Sequence, residues 1–134
     1  MKRITVAAAV LAALGAAGCA KVVSPSDNQV ETLIGTVYVG AGGTGHNFTV
    51  KAPGEYKLTI TSLTPPPPNP NTYTVAAQFG SGSNCSGVVE PPRSGLIGSM
   101  LLGGPIGAGD YCIIILNPGW FTVNESYTAR LEHP

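Results

Sequence analysis

The stretch Gly109-Asp110-Tyr111-Cys112-Ile113-Ile114-Ile115-Leu116-Asn117 decides the fold. From Tyr111 to Leu116, six apolar or semi-apolar residues follow one another without a break. A strand made from them has two apolar faces. It belongs in the middle of a sheet, packed on both sides or in a sandwich core. The run is too short to cross a membrane as a helix, and Asn117-Pro118-Gly119 ends it with turn chemistry.

Outward from this run, the chain reads as short strands between turns. Tyr127, Ala129 and Leu131 alternate with Thr128, Arg130 and Glu132 in a last strand. Upstream, Leu96 to Leu102 is apolar enough for a strand bent at Gly98, and Gly103 to Gly109 turns into the central run. Pro91-Pro92-Arg93-Ser94-Gly95 breaks the chain before it. Tyr73, Val75, Ala77 and Phe79 form an inward face, followed by the loop Gly80 to Asn84 and then Cys85. Phe48, Val50 and Ala52 share one face, and Tyr56, Leu58 and Ile60 share another across Pro53-Gly54. This pattern predicts an antiparallel hairpin. Thr64-Pro65-Pro66-Pro67-Pro68-Asn69-Pro70-Asn71 cannot pair in a sheet. It reads as a stiff exposed connection between two sheets, or as a partner-binding segment. Val30 to Val39 supplies the first strand. Seven or eight strands at roughly even spacing predict an all-β fold. The architecture expected is an antiparallel β-sandwich or jelly roll over residues 30–134.

Composition agrees. The chain has 134 residues, of which 10% are charged, with 18 Gly, 12 Pro and zero net charge. That is enough for one domain with a core, rich in turn formers and poor in helix formers. No basic patch exists to attract nucleic acid.

Few residues carry chemistry. Gly40-Ala41-Gly42-Gly43-Thr44-Gly45 matches a dinucleotide pattern by letter. A strand follows it, where phosphate binding needs a helix N-terminus, so it reads as a turn and no cofactor is expected. No Gly-x-Ser-x-Gly elbow is present. His46 and His133 read as solvated surface side chains, and Asp110 as a turn residue accepting backbone hydrogen bonds. Nothing in the spacing of Asp27, Glu31, Glu55, Glu90, Asp110, Glu125 and Glu132 predicts a catalytic pair. The expectation is a protein that is not an enzyme. Trp120, the one tryptophan, stands with Phe121 in a turn. The two either cover the end of the core or form a platform for a sugar or protein partner.

The N-terminus reads as an address. Met1-Lys2-Arg3 supplies positive charge and Ile4 to Ala17 an apolar run of signal-peptide length. Ala16-Ala17-Gly18-Cys19 resembles the lipobox of bacterial lipoproteins. The resemblance implies residues 1–18 as signal peptide, a lipid on the Cys19 thiol, and residues 19–29 as a polar tether. Because Ala20 is not acidic, it also implies the outer membrane of a bacterial cell envelope, facing periplasm or surface. Ala16 stands where leucine is commonest, and cleavage without lipid, giving a secreted protein, is the alternative.

Cys85 and Cys112 remain, in a chain expected outside the reducing cytoplasm. They read as a disulfide. A metal site is the rival reading and needs more ligands than two distant cysteines supply, so no metal is expected.

Three groups of residues carry a second resemblance. They are Phe48-x-Val50-x-Ala52-Pro53-Gly54-x-Tyr56-x-Leu58-x-Ile60, then Gly109-Asp110-Tyr111-Cys112-Ile113, then Ser126-Tyr127-Thr128. Together they resemble bacterial pre-peptidase C-terminal domains. The resemblance implies a jelly-roll-like sandwich that accompanies secreted enzymes or binds polymers, without catalysis of its own. Acidic residues often precede the family strand that here begins at Asn71. Their absence speaks against calcium.

Overall fold

The computed structural model describes residues 21–40, 42–67, 69, 75–119 and 121–134. Eight strands lie within them: β1 (Gln29–Val37), β2 (Gly43–Val50), β3 (Gly54–Thr64), β4 (Val75–Ser81), β5 (Gly87–Gly95), β6 (Met100–Ile106), β7 (Gly109–Leu116) and β8 (Glu125–His133). A single 3₁₀ turn, Pro25–Asp27, precedes them. Two antiparallel four-stranded sheets form, in the orders β1-β8-β3-β6 and β2-β7-β4-β5. This is the all-β sandwich expected, with jelly-roll strand order. The run from Tyr111 to Leu116 sits in β7, between β2 and β4.

Both sheets turn one face to a shared core. Along β7, Ile113 and Ile115 are fully buried between the layers. The alternate residues Ile114 and Leu116 are only half-buried, on the outer face. Within the core, rings line up from sheet to sheet. Tyr56 stacks on Phe79 at 4.6 Å between centroids, Phe79 on Tyr111 at 5.2 Å, and Tyr111 on Phe48 at 5.8 Å. Offset-stacked rings at these separations each contribute about 1 kcal/mol beyond their buried area.

Three local expectations fail, each for a physical reason. The hairpin predicted across Pro53-Gly54 is an arch, because β2 and β3 lie in opposite sheets. Their apolar faces do meet, but across the core. Among the described strands only β4 and β5 are both consecutive and paired. The break expected at Pro91-Pro92 is instead part of β5. β5 is an edge strand, where a missing N–H costs nothing on the open side. The pairing there steps from Ala77↔Arg93 to Phe79↔Glu90, so the two prolines oppose Gln78 alone. The strand expected over Leu96 to Leu102 starts later. Gly98, at φ +83°, turns the chain, and Ser99 N–H donates to the Leu96 carbonyl at 3.1 Å. β6 then runs on through Gly103, Gly104 and Pro105, again at a sheet edge.

The proline-rich segment, residues 64–71, leads from β3 in one sheet to β4 in the other, which fits the stiff-connection reading. Its Pro65 and Pro66 are exposed, while residues 68, 70 and 71 lie outside those described. Cys19 and Tyr73 lie outside them as well.

Gly35, opposite Tyr127 in the β1–β8 register, is required by packing. A Cβ there would lie 2.7 Å from the Tyr127 ring carbon that bears the hydroxyl. That ring is buried and cannot swing away. Gly35→Ala is therefore expected to cost about 2 kcal/mol, the scale of an overpacked core. The cost should shrink in a Tyr127→Leu background. Urea unfolding of the four variants of this double-mutant cycle checks it.

Candidate functional site

Two loops meet at one end of the sandwich. The Asn117 side-chain oxygen accepts from Gly119 N–H at 2.8 Å and Phe121 N–H at 3.4 Å, which folds the turn predicted after β7. Asn117 Nδ2 donates to the Tyr38 carbonyl at 3.2 Å. Val39 N–H donates to Asn124 Oδ1 at 3.0 Å. Gly40 and Gly119 adopt φ of +90° and +107°, a left-handed region that glycine enters without strain. The laced loops border an open cavity of about 310 Å³, lined by Val39, Gly40, Asn117, Gly119 and Phe121. Phe121 is half-buried and packs against the core. Its predicted companion, Trp120, lies outside the described residues.

A second recess of about 320 Å³ lies on the outer face of the β2-β7 sheet. Its floor holds Cys85 and Cys112, which the structure joins in a disulfide with Cα atoms 5.2 Å apart. Gly82, at φ +76°, and Cys85, at φ +50°, bend the loop that delivers the thiol. Gly82 N–H donates to the Asp110 carbonyl at 2.8 Å and ties that loop over β7. Gly43 and Gly45 leave the recess open, and Asn47, Ser83 and Asn84 give it an uncharged polar rim.

The two histidines depart from the surface role expected of them. His133 is 1% exposed and is the last inward residue of β8. Its Nε2 lies 3.0 Å from Glu31 Oε1, and its ring packs on Phe48 at 5.0 Å. His46 points inward from β2 and meets the Tyr127 hydroxyl, Nε2 to Oη 2.6 Å, across the gap between the sheets. Burial pushes the Tyr127 phenol up, with the neighbouring Thr44 hydroxyl opposing. Which of the two atoms donates is set by the tautomer of the His46 ring. Tyr56 makes a similar link at another point, donating to Glu90 Oε1 at 2.7 Å from the opposite sheet. Burial first, and this hydrogen bond second, raise the Tyr56 phenol far above its ordinary value.

Polar side chains thus tie the layers together. His133 and Glu31 do form a histidine–carboxylate pair. Among the described residues, however, both imidazoles meet Glu31, Tyr127, the Pro134 carbonyl and Phe48 rather than a serine, threonine or cysteine. Asp110, expected to accept backbone hydrogen bonds, instead accepts the Thr49 hydroxyl at 2.7 Å. Glu132 pairs with Arg130 at 2.8 Å and more loosely with Lys57 at 3.9 Å. Glu125 is buried at the start of β8, where burial raises its carboxyl and Oε2 finds no hydrogen-bond partner. Among the described residues, no three His, Cys, Asp or Glu side chains converge as a metal site would require. Alternation carried a signal for these inward positions. His46 shares its parity with Phe48 and Val50, and Glu125 and His133 share theirs with Tyr127, Ala129 and Leu131.

His46 makes stability depend on pH. Burial lowers its pKa below the ordinary imidazole value of 6.5. The unfolded chain therefore takes up a proton at higher pH than the folded one. The stabilisation is complete above pH 6.5 and is lost as pH falls through the depressed folded value. Urea midpoints measured from pH 8 to pH 5 are expected to fall more steeply for the wild type than for His46→Gln. Equal slopes would remove His46 as the cause.

No protein-family model matches the chain, and no curated protein matches it. Among solved structures it is similar to the pre-peptidase C-terminal domain of collagenase from Bacillus anthracis, a crystal structure at 1.0 Å. The TM-score is 0.54 over 82% of this chain and 91% of that one, with 9% identity. At this identity the likeness is one of fold. It agrees with the family that the strand and turn patterns resemble.

Proposed function

We propose that this chain is a non-catalytic β-sandwich module of the bacterial cell envelope, lipid-anchored through Cys19, with a structural or binding role. The carrying observation is how the reactive side chains are used. His46 is engaged by Tyr127, His133 by Glu31, and the Cys85 and Cys112 thiols by each other. The first pair joins the two layers, and the other two brace one sheet each. A disulfide in that body suits the oxidising side of a membrane, as the signal-like residues 1–18 would require. The fold likeness to a pre-peptidase C-terminal domain supports a module that accompanies other activities.

Labelling the expressing cell with an alkyne fatty acid tests the anchor. The mature protein is expected to carry the label and to fractionate with the outer membrane. Cys19→Ala is expected to lose the label entirely. An unlabelled protein whose mature form begins elsewhere would replace the anchor with simple secretion.

A second reading has its own observation, the 310 Å³ cavity beside Phe121 and next in sequence to Trp120. There the module binds a polysaccharide or protein through the Trp120/Phe121 turn, with the proline-rich segment as a further contact. A glycan array decides it. Binding lost at least tenfold on Trp120→Ala supports the platform, and no binding, or binding indifferent to that change, removes it.

A further inference from the structure

We propose that β1 is a homodimerisation strand. Two copies pair their β1 strands antiparallel about a two-fold axis at Thr32, joining two four-stranded sheets into one of eight. The sandwich has four edge strands, β1, β6, β2 and β5. Natural edges avoid open-ended pairing through proline, bulges, glycine or charged side chains, lysine above all. β5 carries Pro91-Pro92 with a register shift opposite them. β6 carries Pro105 and pairs with β3 through a register shift between Leu58 and Thr59. β2 carries Gly43 and Gly45, is one residue shorter than β1, and exposes no large apolar side chain. Of these devices β1 has a single Gly35 near its end and one charged side chain, Glu31, which turns inward to His133. It runs nine residues in unbroken register with β8, without proline, lysine or arginine. It also exposes Val30 at 54% and Ile34 at 69%. The described residues before it lie elsewhere. Val23 N–H binds the Pro53 carbonyl and Asn28 Nδ2 binds the Glu55 carbonyl.

The second copy is chosen over another partner because the edge complements itself in one register. The Thr36 carbonyl accepts the Thr44 hydroxyl, and the Tyr38 carbonyl accepts Asn117 Nδ2. Backbone groups alternate along a strand, so residues 30, 32 and 34 turn theirs to that same side. Only with the axis at Thr32 does pairing use these three and avoid the two carbonyls already taken. Val30 then faces Ile34 of the second copy, Thr32 faces its own mate, and about six main-chain hydrogen bonds form. Apolar and hydroxyl cross-strand pairs of this kind stabilise a sheet. The one charge, Glu31, faces Leu33 of the second copy rather than its own mate. Each Glu31 stays with its own His133 at 3.0 Å.

The test measures the mass of the processed protein by sedimentation in density-matched detergent. A dimer is expected. Ile34→Lys is expected to halve the mass while leaving the melting temperature within a few degrees. Thr32→Cys should cross-link to a dimer on oxidation, since directly paired Cα atoms at about 5.5 Å suit a disulfide. Val30→Cys alone should not, whereas a mixture of Val30→Cys and Ile34→Cys should. A monomer with Thr32→Cys uncrosslinked overturns the proposal, whether the edge is idle or takes a strand from a different protein. Equal cross-linking from Val30→Cys overturns the register and the proposal with it.

Discussion

Replacing Ile113 with alanine is expected to remove about 4 kcal/mol of folding stability, near the upper end for a buried isoleucine. The side chain is fully buried. It sits in the central strand, opposite His46 on one side and Phe79 on the other. Hydrogen-bonded strands on both sides hold it in place and cannot collapse into the space it leaves. Its neighbour Ile114 is the control. It has the same chemistry and the same strand but lies half-exposed on the outer face, so Ile114→Ala should cost about 1 kcal/mol or less. Urea unfolding of the two variants compares them directly. Equal losses would mean that β7 is not read correctly as having one inner and one outer face.

The second large effect comes from the disulfide. Cys85 and Cys112 are 27 residues apart in sequence. Closing a loop of that length restricts the unfolded chain and is worth about 3.5 kcal/mol in the chain-entropy model. Typical domains hold about 5–15 kcal/mol in total, so this is a large share. Converting both cysteines to alanine is expected to lower the melting temperature by roughly 15 °C. Reducing the wild type should lower it by a similar amount. Free thiols trapped from the folded, oxidised protein, together with a melting temperature indifferent to reductant, would defeat this account. The bond also fastens the 82–85 loop over β7, so its loss should loosen that loop first, seen as faster amide exchange there.

These two effects differ in how readable they were. The apolar run of β7 announces its central position, because only a strand between two others and against a core tolerates such a sequence. The cysteine pairing follows from compartment and count once the N-terminus is read as an export signal. The inward histidines were less visible. His133 was expected in solvent because it stands second from the end, yet it continues the inward parity of Tyr127, Ala129 and Leu131. His46 likewise follows the parity of Phe48 and Val50. In both cases residue type outweighed position. An imidazole reads as polar, but one hydrogen-bond partner, Tyr127 across the gap for His46 and Glu31 on the neighbouring strand for His133, is enough to satisfy it when buried.

Most of the strands, the inward parity of their apolar residues and the turn at Asn117-Pro118-Gly119 were set by local chemistry, and residues within a few positions of each other sufficed to read them. Which strand lies beside which was not. The alternation that faces Phe48 and Tyr56 inward is the same whether β2 and β3 share a sheet or oppose each other across a core. Main-chain hydrogen bonds do not record the identity of the residues they join. Only closing two sheets around one set of apolar side chains turned the predicted hairpin into an arch. The same closure put Pro91-Pro92 and Pro105 on edges, where their missing N–H groups do no harm, and left β1 as the longest of the edges that neither proline nor bulge interrupts.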